Sequence, residues 1–322
     1  MEEWYQNKSR RNFIKTGIGL AALSVAPSWA AAEPLNDWEE HLTILHTNDW
    51  HSRIDPFPEN DAKYPGMGGA ARRAALINQI RAEKNHLILL DAGDVFQGTP
   101  YFNFYGGEPE FKLMSTMGYD ACTLGNHDFD NGIEGLVKML PFAEFPFINC
   151  NYDVRNTALE EKIIPWKIIR RGRLKIGILG LGVELQGLVL EKNFKGIRYL
   201  NPVLCAENTV KFLKFEAECD FIICLSHLGY QYKDGKMSDL ILASNTENID
   251  LIIGGHTHTF MEKPVIVSNR IGRPVTIHQV GWAGLRLGRL DYVFSSINNV
   301  KNQGFSRNEF FKKSIFFLDN ME

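Results

Sequence analysis

Aspartate, histidine and one asparagine recur through the middle of this chain in five short motifs: Asp49-Trp50-His51, Gly93-Asp94, Gly125-Asn126-His127-Asp128, Ser226-His227 and Gly255-His256-Thr257-His258. These residue types bind divalent cations through carboxylate or amide oxygen and imidazole nitrogen. Asp49 and His51 are two residues apart, as are His256 and His258. In an extended segment, side chains so spaced point the same way and can grip one ion together. Gly254 and Gly255 allow a tight turn before the second pair. Asp94 follows the Leu87–Asp91 run and is the best candidate to bridge two ions, which dinuclear hydrolases hold ~3.5–4 Å apart. Singly, each motif carries little. A lone Asp-x-His or His-x-His is more often a surface pair or a core histidine, and Asn126 alone reads as a turn residue. Jointly they claim five of the nine histidines, at positions 51, 127, 227, 256 and 258. The pattern predicts a metal-dependent hydrolase with two divalent ions, Mn, Zn or Fe. The lack of cysteine donors argues against a closed structural zinc site.

Such donors must be carried by a rigid frame. Short apolar runs bounded by Gly, Asp or Asn predict strands over Leu42–His46, His86–Leu90, Ala121–Leu124, Phe145–Cys150, Lys175–Leu181, Phe221–Leu225, Leu251–Ile253, Val275–Val280 and Leu287–Val293. Helical patterns lie between them over Ala70–Glu83, Glu108–Met117, Ile133–Leu140, Val203–Glu218 and Met237–Ser244. This alternation predicts an α/β layered fold with both sheet faces covered. Each motif follows a strand, and ligands in such folds gather beyond the strands' carboxyl ends. Gly68-Gly69 reads as the entry to the Ala70 helix, and Asp55–Gly66, with its three prolines, as a surface loop.

The ordered series D-x-H, G-D, G-N-H-D, S-H and G-H-x-H resembles the calcineurin-like metallophosphoesterase superfamily. Longer stretches (Ile44–His51, Gly93–Pro100 and Gly125–Asp130) are similar to the amino-terminal catalytic domain of secreted bacterial 5′-nucleotidases. The resemblance runs from Leu42 to Leu290. It implies a four-layer α/β/β/α sandwich, here over residues 40–295. It implies Asp49, His51, Asp94 and His258 around one metal and Asp94, Asn126, His227 and His256 around the second. His127 and Asp130 match the family's catalytic dyad. Their chemistry agrees, because His127 adjoins a metal ligand and Asp130, three residues on, can orient its ring. The implied reaction is hydrolysis of phosphomonoesters, 5′-nucleotides foremost, by attack of metal-activated water. His46, mid-strand, reads as a core histidine or a hydrogen-bond donor behind the ligands. His41, His86 and His278 have no case as ligands.

The first 32 residues read as an address label. Ser9-Arg10-Arg11-Asn12-Phe13-Ile14-Lys15 resembles the twin-arginine export signal, and an apolar stretch from Thr16 to Ala26 and small residues to Ala32 follow. That stretch is short of the ~20 residues that span a bilayer. Together these features predict a periplasmic or secreted protein without a stable membrane anchor. The formal charge of the chain is −3, and the signal-like segment carries four basic residues against two acidic ones, so the remainder is more acidic still. That excludes the basic surface a nucleic-acid polymer needs. The five cysteines show no CxxC pairing and read as free buried thiols, with one bridge left open.

Secreted 5′-nucleotidases usually carry a carboxy-terminal domain that stacks the base, whereas this sequence stops at Glu322. Base recognition is therefore expected from a separate chain, with the Phe-rich tail within 296–322 helping it dock. The tail itself reads as either a last strand or a contact surface. Three readings stay open: a nucleotidase completed by a partner, a stand-alone phosphoesterase or phosphodiesterase of broad specificity, and a silent metal-binding scaffold. The complete donor set and the intact His127–Asp130 pair argue against the scaffold.

Overall fold

The computed structural model describes residues 38–295, and the backbone of 311–320. The signal-like segment lies outside the described residues. Two mixed sheets carry the chain. In the first, β1 (Glu39–Thr47), β2 (Leu87–Asp91), β3 (Ala121–Cys122), β4 (Phe147–Ile148) and β6 (Ile163–Ile164) run parallel. Antiparallel β14 (Arg286–Ser295) and β15 (Phe311–Asn320) extend its other edge. In the second, β8 (Leu174–Leu181), β10 (Phe221–Ser226), β11 (Leu251–Gly254) and β13 (Pro274–His278) run parallel between antiparallel edges β7 (Trp166–Arg171) and β12 (Val265–Ser268). A small ribbon pairs β5 (Tyr152–Asp153) with β9 (Arg198–Tyr199).

The apolar runs explain the layering. The central strands β2 and β10 are buried along their whole length, as sheets covered on both faces require. Alternate residues part to opposite faces. Ile88 and Leu90 of β2 meet Phe221 and Ile223 of β10 in the core between the sheets. Leu89 turns outward onto Ile77 of α1 (Ala70–Glu83) and Phe111 of α3 (Glu108–Met117), with α2 (Pro100–Tyr105) and α4 (Gly132–Met139) on the same side. Ile222 and Cys224 turn outward onto Val210 of α5 (Pro202–Lys211) and Leu242 of α6 (Asp239–Asn245). The result is helix, sheet, sheet, helix, the predicted α/β/β/α sandwich.

Several local expectations change. The helix expected over Val203–Glu218 is α-helical only to Lys211 and ends in a π-helical stretch, Phe212–Glu216. The strands expected over Ala121–Leu124 and Phe145–Cys150 shrink to two residues each, Ala121–Cys122 and Phe147–Ile148. Helix α2 and edge strands β7 and β12 were not foreseen. Of the two readings of the tail, residues 311–320 adopt the strand. All five cysteines are free.

Candidate metal centre

Strands β1, β2, β3, β10 and β11 each deliver one motif from their carboxyl ends. Asp49, His51 and His258 offer ligand atoms that all lie within 4.8 Å of one another, and so do Asp94, His227 and His256. In the first group, His258 Nε2 is 3.0 Å from His51 Nε2 and 3.3 Å from Asp49 Oδ1. In the second, His227 Nε2 is 3.1 Å from Asp94 Oδ2. The groups adjoin: Asp94 Oδ2 is also 4.0 Å from His51 Nε2. Asp49 Oδ1 lies at the same 4.0 Å from His227 Nε2, so both aspartates straddle the pair of groups.

The two-residue spacings work otherwise than an extended strand would. Asp49, His51, Asp94, His256 and His258 all have φ between 51° and 70°, the left-handed region. Each such non-glycine residue costs roughly 1–2 kcal/mol. Backbone bonds between the loops hold them there. Asp49 N–H donates to the Gly93 carbonyl at 2.9 Å, and His51 N–H to that of Asp94 at 3.1 Å. His256 N–H donates to both Asp49 carboxylate oxygens at 3.0 Å. Close approach also demands Gly125, where a side chain would collide with Asp94 Oδ1 at 2.1 Å.

At the site, Asn126 Oδ1 is buried without a hydrogen-bond partner among the described residues, one of several such side-chain atoms in the molecule. Buried groups are rarely left so unless another ligand takes them. Seven residues with N and O donors, the Asn126 oxygen among them left unpaired, suit divalent cations such as Mn, Zn or Fe. Burial lowers the proton affinity of His227, but the Asp94 charge overrides it and lifts the pKa to about 10. Burial, then the His227 charge, lowers His256 to about 4. Burial also lowers His51.

His127 and Asp130 lie together, with His127 Nδ1 2.8 Å from Asp130 Oδ2. This bond raises the His127 pKa. The imidazole sits beside the first group, its ring centroid 5.2 Å from that of His51. His46 is a core residue, bonded through Nε2 to His278 Nδ1 at 2.8 Å.

Sequence reasoning missed the residues behind the donors. Asp128, buried in the predicted motif, accepts N–H bonds from Gly125 at 2.8 Å, Val95 at 3.0 Å and Asp94 at 3.1 Å. It thereby ties the Asn126 loop to the Asp94 loop. Burial, then the Asp94 charge, raises its pKa to about 7. Asn48 donates to Asp49 Oδ2 and to the Gly281 carbonyl, each at 2.6 Å. Gln279 donates to the Gly255 carbonyl and accepts from Thr259 N–H, bracketing the His256–His258 turn. Their proximity to the motifs in sequence or along β13 carried no distinct signal.

Comparison with known proteins places the chain in a family. The calcineurin-like phosphoesterase family model matches residues 42–260. A snake venom 5′-nucleotidase from Crotalus adamanteus is 35% identical over 279 residues, covering 80% of this chain and 46% of the relative. The trifunctional nucleotide phosphoesterase YfkN of Bacillus subtilis is 36% identical over 294 residues, covering 81% of this chain and 19% of that protein. The crystal structure of a 5′-nucleotidase precursor from Thermus thermophilus superposes with a TM-score of 0.71 at 30% identity, covering 87% of this chain and 55% of that one. The chain thus spans about half the length, or less, of the curated relatives it matches.

Proposed function

The chain belongs to the calcineurin-like phosphoesterase family and is a hydrolase of phosphoesters, and from that premise we propose that it is a two-metal phosphomonoesterase acting on 5′-nucleotides. The observation that carries this reading is the pair of adjoining donor groups straddled by Asp49 and Asp94, with His127 at their edge. Asp49, His51, Asp94 and His258 would hold one ion, and Asp94, Asn126, His227 and His256 the other. When bound, divalent ions supply Lewis acidity toward the phosphoryl oxygens and activate water at neutral pH.

The chain's own residues do the rest. Asp130 occupies Nδ1 of His127 and keeps the ring protonated to higher pH, leaving Nε2 to donate to a phosphoryl oxygen or to the departing alkoxide. Asp128 holds the Asn126 and Asp94 loops at one spacing. The nucleotide as substrate is supported by the relatives, which carry nucleotide-directed names. Export by the twin-arginine-like segment completes the proposal. The test is hydrolysis by the purified chain, stripped with chelator and reloaded with Mn²⁺ or Zn²⁺, followed as phosphate release from AMP and an aryl phosphate and as phenol release from an aryl diester. Chelator-sensitive release from AMP is expected. Turnover of the aryl esters with none of AMP would overturn the nucleotide assignment.

A further inference from the structure

Each donor group holds one imidazole by a backbone carbonyl and the other by ring packing, and the two groups differ in how exposed the packed ring's surroundings are. His227 is wholly buried and places its second nitrogen, Nδ1, 2.7 Å from the Ala92 carbonyl. His256 packs edge-on against it, with ring centroids 5.2 Å apart. In the other group, His51 places Nδ1 3.3 Å from the Phe96 carbonyl. Such anchors fix the tautomer and direction of a metal-binding ring. His258 has no comparable anchor among the described residues. Its side chain is 39% exposed, against 8% for His51, and its ring lies flat on the indole of Trp282. The centroids are 5.6 Å apart and the planes differ by 6°.

Trp282 is itself braced. Phe57 packs edge-on against it at 6.0 Å. The next residue, Ala283, donates its N–H to the Asp49 carbonyl at 2.7 Å. One turn therefore stacks one donor of the group and ties down another.

We propose that Trp282 is the positioning residue for His258, and that the cation position made by Asp49, His51 and His258 is the exchangeable one of the two. The inference rests on the two-ion reading above. A ring held by stacking and by the other donors of its own group, in an exposed position, can swing out to release an ion, whereas His227 cannot move without breaking a buried hydrogen bond to the Ala92 carbonyl.

The test titrates the chelator-stripped full chain with Mn²⁺, counting free ion by electron paramagnetic resonance and recording tryptophan emission. The unaltered chain should bind two ions, the weaker one changing the emission. Trp282→Ala should weaken that site by ~10–100-fold, the usual cost of losing an outer contact to a ligand, and leave the tighter site unchanged. Trp282→Phe should restore affinity while abolishing the emission change. Trp282 also meets the His51 ring edge-on at 6.4 Å, so in a His258→Ala background Trp282→Ala should cost far less than in the unaltered chain, though not nothing. Equal weakening of both sites, no weakening of either, or additive effects of the two substitutions would overturn the assignment. A single ion whose affinity still falls in Trp282→Ala would sink the two-ion reading but keep the Trp282–His258 link. A single ion indifferent to the change would sink both.

Discussion

Asp49 and Asp94 come from different strands, yet each sets a carboxylate oxygen 4.0 Å from a histidine of the other's group: Asp49 Oδ1 from His227 Nε2, and Asp94 Oδ2 from His51 Nε2. The two groups are thus one electrostatic unit. Loss of either carboxylate should be felt at both.

Asp94→Asn is therefore expected to weaken both ions and to abolish hydrolysis. Bound metal counted by plasma mass spectrometry, alongside phosphate release, checks this. A variant that kept two ions and full turnover would remove Asp94 from the centre.

His127→Asn separates chemistry from assembly. Its ring touches Asp130 and lies beside His51, outside both donor groups. Metal content should hold while turnover falls ~10²–10³-fold, the scale for losing one donor to developing charge. Loss of metal in parallel with rate would make His127 part of the binding set.

Metal affinity should depend on pH in a direction set by His227. In the metal-free protein, burial opposes its protonation but the Asp94 charge prevails, lifting the pKa to about 10. A metal takes the neutral imidazole, so below that value binding must expel a proton. Affinity should climb as pH rises from 6 to 9, by up to about tenfold per unit for one proton released. The same sign governs the metal-free fold: the stabilising His227–Asp94 attraction is fully present below the ordinary histidine range and lost as pH rises through about 10. Competition titrations at three pH values would show it, and a flat profile would contradict it.

Asp128→Ala leaves the Asp94, Val95 and Gly125 amides without their acceptor. Destabilisation of about 3 kcal/mol is expected, together with weaker metal binding, since buried N–H groups lose their partners. Denaturant unfolding of the metal-free protein would measure the first part. A midpoint equal to that of the unaltered chain would show that water replaces the carboxylate at no cost.

Much of this was legible in the chain, for identifiable reasons. Helices Ala70–Glu83 and Glu108–Met117 fall where the apolar spacing put them, because each buries one stripe against the first sheet. The metal motifs were legible because carboxyl ends of parallel strands converge whatever the loop detail. The loop detail was not. The left-handed backbone of Asp49, His51, Asp94 and His256 is held by amide contacts to loops distant in sequence. Asp128 and Asp130 stand two residues apart in one motif, and only the fold tells the amide clamp from the histidine partner. Edge strand β12 alternates partly buried and exposed residues, Val265 to Ser268, so it lacks the continuous apolar run that marked the central strands.

The most direct measurement is anomalous X-ray diffraction from crystals of the full chain soaked in Mn²⁺. Two anomalous peaks ~3.5–4 Å apart, with the Asp94 carboxylate between them and Asn126 Oδ1 turned to one, are the expected result. A single peak, or two peaks with Asp94 touching neither, would contradict the dinuclear centre on which the proposed function stands.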